Sequence, residues 1–287
     1  MNTPLDLSKR LLRLFSVRAL NDSFSNRGNV NELIIEIADS VTPSAIKSFV
    51  FENLNTTKQH VYIFDLTPSF RLNQIDRNSF PLEVHSTSTN LPDFYIKGFS
   101  KVQYNVVLLN PIEEATLFFL QPYHISIRNR HLIIQATIME KNPSAYFTGS
   151  RKVVDVKKIN DENEIIPQIL NEIFIGSPTS ECDLTRGLKH LWDSDVLDCK
   201  YVKYKKSRST TTEAMDENCT LKAEYPEVYT DLIHSPLDKT IFKYLGNDEA
   251  IMEHFTIDPE HGYLSFPLFP SNTNQINNVI TQILQNN

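Results

Sequence analysis

Four stretches of the sequence decide the fold class: KVQYNVVLL (101–109), ATLFFL (115–120), YHISIRN (123–129) and HLIIQATIM (131–139). Successive side chains of a strand point to opposite faces, so an alternation of apolar and polar residues, or a short apolar run, predicts a strand. The connections between these stretches are short, which favours antiparallel pairing. The pair Asn129-Arg130 between the last two predicts a hairpin turn. The sequence therefore predicts a sheet with mostly antiparallel strands in the middle of the chain.

The residues before this sheet predict a compact helical module over 1–57. Apolar side chains recur at intervals of three and four residues in 4–15, 17–25, 29–41 and 42–54, as they do along one face of a helix. Thr3 or Asp6 is a candidate N-cap of the first helix, because a short polar side chain can accept a hydrogen bond from the first helical turn.

The chain after the central sheet mixes both periods. The patterns predict helices over 162–174, 184–192, 226–233, 236–245 and 274–284, a strand over 196–206 with a partner near 219–225, and a hairpin over 255–266. The fold class is thus α+β, a small N-terminal helical module followed by a mixed, largely antiparallel sheet domain with flanking helices. We expect a helical module (1–57), a sheet-rich α+β domain (58–175) and a C-terminal α+β region (176–287), which is either separate or part of the second domain.

Glycine usage argues against nucleotide-driven enzymes. The chain has seven glycines, and no two of them are closer than eleven positions. A phosphate-binding loop needs several glycines within about eight residues, so that backbone amides can approach the ligand. We therefore predict a protein that is not an enzyme of these classes and needs no cofactor.

Cysteine and histidine spacing predicts no metal centre. The cysteines stand at 182, 199 and 219, without a Cys-x-x-Cys pair, and no His-x-His or His-x-x-x-His pair occurs. The N-terminal residues lack the apolar core of a signal peptide, and no stretch of eighteen apolar residues exists. These patterns predict an intracellular protein, in the cytoplasm, nucleoid or nucleus, without membrane contact.

Positive charge concentrates locally, although the chain has a net charge of −7. KYVKYKKSRSTTTE (200–213) places two tyrosines and several hydroxyl residues among the cations Lys200, Lys203, Lys205, Lys206 and Arg208. Cations that meet phosphates beside aromatic rings that stack on bases are the ingredients of a nucleic-acid groove. The alternative is an edge strand whose lysines prevent aggregation.

SVRALNDSFSNRGNVNELIIEIA (16–38) resembles a SAP-type helix–turn–helix module. That resemblance implies contact with the DNA backbone through helix N-termini and basic side chains, here Arg18, Arg27 and Arg13. The alternative is a small helical cap whose leucines and isoleucines pack a core. The order of parts, with NPSAYFTGS (142–150) between strands, also resembles the centromere protein N family, which pairs a pyrin-like domain with a mixed domain that contacts nucleosomes.

Three hypotheses for function follow. The first is a non-enzymatic protein that binds DNA or RNA, or forms a complex, through the basic strand and the helical module. The second is a protein-interaction subunit whose helical module or acidic C-terminal block (residues 211–287, net charge −9) meets a partner chain. The third is a metal-dependent nuclease that uses Asp198 and Lys200 of the triplet Asp198-Cys199-Lys200.

Overall fold

The computed structural model describes residues 2–24, 28–67, 80–88, 93–109, 111–141, 143–147, 152–173, 180–206, 209–214, 219–246 and 249–287. The helices are α1 (Pro4–Leu12), α2 (Val17–Phe24), α3 (Val30–Ser40), α4 (Pro43–Glu52), α5 (Glu162–Ile173), α6 (Thr185–Asp193), α7 (Leu221–Glu224), α8 (Pro226–Ile233) and α9 (Gln275–Gln285). The strands are β1 (Gln59–Asp65), β2 (Glu83–Ser88), β3 (Tyr95–Leu109), β4 (Glu113–Arg128), β5 (His131–Thr137), β6 (Lys152–Ile159), β7 (Ser180–Glu181), β8 (Leu197–Lys206), β9 (Ser209–Ala214), β10 (Thr240–Tyr244), β11 (His254–Asp258) and β12 (Tyr263–Phe266). The protein is α+β, as predicted.

The chain forms two compact units. The first contains Met1–Thr57, Thr67–Ile127 and Ile134–Thr179, and the second contains Lys58–Leu66, Arg128–Ile133 and Ser180–Asn287. The predicted helical module 1–57 lies within the first unit.

Two helices of the first unit begin directly after a capping threonine, α1 after Thr3 and α4 after Thr42. The Thr3 side chain accepts a hydrogen bond from the Asp6 amide, and the Asp6 carboxylate accepts one from the Thr3 amide. Thr42 accepts from the Ala45 amide in the same way at the start of α4. These bonds satisfy amides that a helix leaves without an internal partner, so the capping prediction for Thr3 is confirmed.

The sheet of the first unit is built around two long strands. β3 and β4 pair antiparallel from Tyr95↔Ser126 to Leu108↔Glu113, and β3 also pairs antiparallel with β2 and with β6. Apolar residues of α1, α3 and α4 and of these two strands form one buried cluster that includes Leu12, Leu33, Ile46, Val102 and Phe119. The apolar faces of these amphipathic helices therefore pack against the apolar residues of the sheet.

The strands that contribute to the second unit follow the order β5-β1-β12-β11-β10-β8-β9, and β7 also pairs with β1. Its buried cluster contains residues of β1, β5, β8, β10, β11 and β12 and of α6, α8 and α9. Trp192 lies at the centre, with its ring edge-on to Tyr229 at 5.4 Å and to Phe242 at 5.3 Å between centroids. Edge-to-face contacts of this kind stabilise a core beyond the area that they bury.

Two predictions for the C-terminal part are wrong. The stretch 236–245 was expected to be a helix but contains β10, because Thr240 and Ile241 are β-branched and the strand pairs on both sides, with β8 and with β11. The partner of β8 is not 219–225, where Thr220 caps the short helix α7, but β9.

The predicted break between the strands 115–120 and 123–129 is also wrong. Both belong to β4, and its register with β3 continues through Phe99↔Pro122. The predicted hairpin after it is confirmed: Asn129 adopts φ +53°, a left-handed conformation that suits a tight turn. Among the described helices, none is long and apolar enough to cross a bilayer.

Candidate functional site

The strongest sequence candidate, the basic strand, forms half of a two-stranded extension. β8 pairs with β10 over Leu197–Tyr201 and with β9 over Tyr201–Lys206. In the described residues, positions 202–206 pair with β9 alone. We call residues 200–206 and 209–214 the basic ribbon; beyond Tyr201 it extends as two strands past the paired end of β10.

A β-bulge determines which face of the sheet the ribbon positions occupy. The neighbours Phe242 and Ile241 of β10 pair with Cys199 and Tyr201, so Lys200 is an extra residue in β8. Neighbouring residues of β10 lie on opposite faces, and therefore positions 199 and 201 do so as well. Accordingly, Cys199 is 2% exposed within the core, whereas Tyr201 is 36% exposed.

The register with β9 gives the two faces of the ribbon different charge. Lys203 pairs with Thr212 and Lys205 with Thr210, on the same face as Tyr201. The acidic residue of β9, Glu213, pairs with Val202 and belongs to the other face. The face that carries Tyr201 thus combines two lysine positions with threonines and, among the paired residues of β8 and β9, no carboxylate.

The other predicted cations have varied surroundings. Lys206 pairs with Ser209 at the end of the ribbon, while Arg208 and Arg27 lie outside the described residues. Arg13, in the first unit, donates to Asn31 Oδ1 at 2.8 Å and places its guanidinium 5.3 Å from the centre of the Tyr146 ring. Arg18, also in the first unit, forms an exposed ion pair with Asp22, with 3.8 Å between nitrogen and oxygen. Arg13 and Arg18 therefore already interact with other side chains of the protein.

Asp198, the carboxylate of the nuclease hypothesis, is buried at the base of the ribbon. The Leu221 amide lies 3.3 Å from its Oδ1 and 3.2 Å from its Oδ2 and donates to them. Burial raises the pKa of Asp198, and hydrogen bonds from backbone amides oppose that shift. Its visible role is structural, to hold the start of α7 against β8.

A second cluster, which sequence spacing did not indicate, lies in the second unit. Asp65 is the last residue of β1, His131 the first residue of β5, and Cys182 follows β7. His131 Nδ1 lies 3.0 Å from Asp65 Oδ1 and 3.7 Å from Cys182 Sγ, and the three ligand atoms all lie within 4.8 Å of one another. We call these three residues the His131 cluster.

Burial governs the protonation of the His131 cluster. It raises the pKa of the Cys182 thiol to about 12, with the Asp65 carboxylate adding to the shift. It also lowers the pKa of His131, although the ion pair and hydrogen bond with Asp65 act in the opposite direction. Without a bound cation, Cys182 is thus a thiol at neutral pH and a poor nucleophile.

No family model, curated protein or solved structure matches this chain. The resemblances to a SAP-type module and to the centromere protein N family stay predictions.

Proposed function

We propose that the protein is a non-enzymatic nucleic-acid-binding protein that contacts duplex DNA through the basic ribbon. The observation that carries the proposal is the register of β8 and β9, which places Lys203 and Lys205 opposite threonines, on one face with the exposed Tyr201. Lysines bind phosphate oxygens as point charges, and threonine hydroxyls donate to the same oxygens.

The shape of the ribbon favours duplex DNA over duplex RNA. The major groove of B-form DNA admits a two-stranded β-ribbon, whereas the major groove of A-form RNA is deep and narrow. Positions 202–206 and 209–213 form such a ribbon without a third described strand beside them. The net charge of −7 does not oppose this contact, because a bound polyanion responds to charge within about a Debye length.

The test is a mobility-shift titration of the full chain with a short DNA duplex, a single strand and an RNA duplex of the same sequence. We expect the DNA duplex to bind most tightly, and the variant Lys203→Glu/Lys205→Glu to lose the shift. The matched control is Lys152→Glu/Lys157→Glu, which makes the same change in net charge at two exposed positions of β6 in the first unit. Equal loss in both variants, or binding that survives in the ribbon variant, would refute the proposal.

Salt dependence tests the ribbon contact separately. Each phosphate that a cation neutralises contributes about 0.9 to the slope of log affinity against log salt concentration. Lys203→Gln/Lys205→Gln should therefore make the slope less steep by about 1.8. A slope unchanged by these substitutions would show that the two lysines do not contact phosphates. Stronger binding of single strands would instead point to stacking of bases on the exposed Tyr201.

A further inference from the structure

We propose that Asp65, His131 and Cys182 bind one Zn²⁺ ion through Oδ1, Nδ1 and Sγ, with a fourth coordination position left for water or another ligand. The site is independent of the proposed DNA contact and uses none of its residues.

Two of the three distances between the ligand atoms of the cluster are close to those of a tetrahedral zinc site. Typical Zn–S, Zn–N and Zn–O bond lengths at tetrahedral angles separate sulfur from nitrogen by about 3.6 Å and nitrogen from oxygen by about 3.4 Å. The observed separations are 3.7 Å from Cys182 Sγ to His131 Nδ1 and 3.0 Å from His131 Nδ1 to Asp65 Oδ1. These two separations differ from the tetrahedral values by about 0.1 and 0.4 Å, and Cys182 Sγ lies within 4.8 Å of the Asp65 ligand oxygen.

The direction of the contacts favours an ion over a catalytic triad. A triad needs the acid at one imidazole nitrogen and the nucleophile at the other, so that the imidazole can relay a proton. Here Asp65 and Cys182 both approach Nδ1 of His131. Cys182 also hydrogen-bonds to Asp65, so the three side chains converge on one point, and a single cation there can bind one atom of each.

The charge and the chemical softness of the three ligand atoms suit Zn²⁺. A thiolate and a carboxylate supply two negative charges, which a divalent ion neutralises in a site where Cys182 is 1% exposed and the side chains of His131 and Asp65 are 13% and 35% exposed. The thiolate selects zinc and cobalt over magnesium and calcium, which prefer oxygen ligands.

The surrounding backbone holds Cys182 in position. The Cys182 amide donates to the Ile63 carbonyl at 3.0 Å, which ties the residue to β1 two positions before Asp65. The Asn287 side-chain amide donates to the Asp183 carbonyl at 2.8 Å and lies 3.9 Å from Cys182 Sγ. A donor beside sulfur stabilises a thiolate ligand, as outer partners of metal ligands do.

Cobalt binding tests the site directly, because a thiolate ligand to Co²⁺ produces a charge-transfer band and tetrahedral Co²⁺ gives intense visible bands. We expect the full chain, first treated with a chelator, to bind one equivalent of Co²⁺ with both signals, and Zn²⁺ to displace it. Cys182→Ser should lose the charge-transfer band. Cys219→Ser is the matched control, since Cys219 is exposed and outside the cluster, and it should retain the band.

Asp65→Asn separates metal binding from folding, because the asparagine oxygen can still accept a hydrogen bond while the negative charge is removed. We expect a circular dichroism spectrum like that of the unmodified chain. The affinity for Zn²⁺ should fall by at least about 100-fold, the upper end of the loss that follows removal of an outer partner of a metal ligand. The proposal is overturned if the unmodified chain gives no charge-transfer band, if Cys182→Ser keeps it, or if Asp65→Asn binds Zn²⁺ unchanged.

Discussion

Replacing Gly262 by alanine should destabilise the second unit strongly. Gly262 ends the short turn Pro259–His261 between β11 and β12 and adopts φ +61°. A Cβ atom there would overlap the Ile63 carbonyl oxygen and lie 2.9 Å from the Cys182 carbonyl oxygen, both of which are backbone atoms. The left-handed conformation costs a residue with a Cβ about 1–2 kcal/mol. The displacement of packed backbone adds about 1–3 kcal/mol, so we expect a loss of about 2–5 kcal/mol in the free energy of unfolding.

Urea unfolding followed by tryptophan fluorescence measures this loss, because the chain has one tryptophan and Trp192 is buried in the same unit as Gly262. Gly28→Ala is the control for the substitution itself, and it is followed by far-ultraviolet circular dichroism because Gly28 lies in the first unit. Its Cβ would lie 3.6 Å from the nearest Glu32 atom, an ordinary contact. We expect that control to stay within about 0.5 kcal/mol of the unmodified chain. If Gly262→Ala and Gly28→Ala changed the urea midpoint equally, neither the left-handed conformation of Gly262 nor the overlap of a Cβ atom with backbone atoms would have the expected cost.

Two further predictions concern the core beside the ribbon. Trp192→Ala should lower the free energy of unfolding by about 3–5 kcal/mol, since it empties the space between Tyr229 and Phe242. Urea unfolding followed by far-ultraviolet circular dichroism measures this loss. A loss below about 1 kcal/mol would contradict the packing of Trp192 in the core. The raised pKa of Asp198 means that the folded state disfavours the carboxylate, so its contribution to stability falls as pH rises above the ordinary value of 3.8. Asp198→Asn keeps an oxygen for the Leu221 amide and cannot ionise. The free energy of unfolding of this variant, relative to that of the unmodified chain, should therefore be higher at about pH 7 than at about pH 4. An equal difference in urea midpoints at both pH values would contradict this.

Local signals predicted much of the fold. The N-terminal ends of α1 and α4 follow from Thr3 and Thr42, whose side chains accept hydrogen bonds from the first helical turn. The hairpin at Asn129 follows from a residue that tolerates positive φ. In these cases the determining interaction lies within a few residues, so the sequence pattern contains it.

Predictions failed where pairing partners distant in sequence decide the structure. Pro236 is typical of a helix start, yet Thr240–Tyr244 is a strand because β8 and β11 lie on either side of it. The bulge at Lys200 is equally non-local, since it appears only when β8 is aligned with β10. Without that bulge, strict alternation would place Tyr201 on the core face together with Cys199.

The His131 cluster shows the same limit for a site. Its cysteine and histidine are 51 positions apart, far beyond any short ligand spacing, and each lies at the end or just outside of a different strand. Pairing of β1 with β7 places Phe64 opposite Glu181, next to Cys182, and the Arg130 carbonyl accepts from the Leu66 amide beside Asp65. Backbone pairing alone therefore brings together three possible metal ligands that no linear motif connects. Because the cluster and the basic ribbon use separate side chains of the second unit, charge reversal at Lys203 and Lys205 should leave the cobalt spectrum unchanged, and loss of Cys182 should leave the salt slope unchanged.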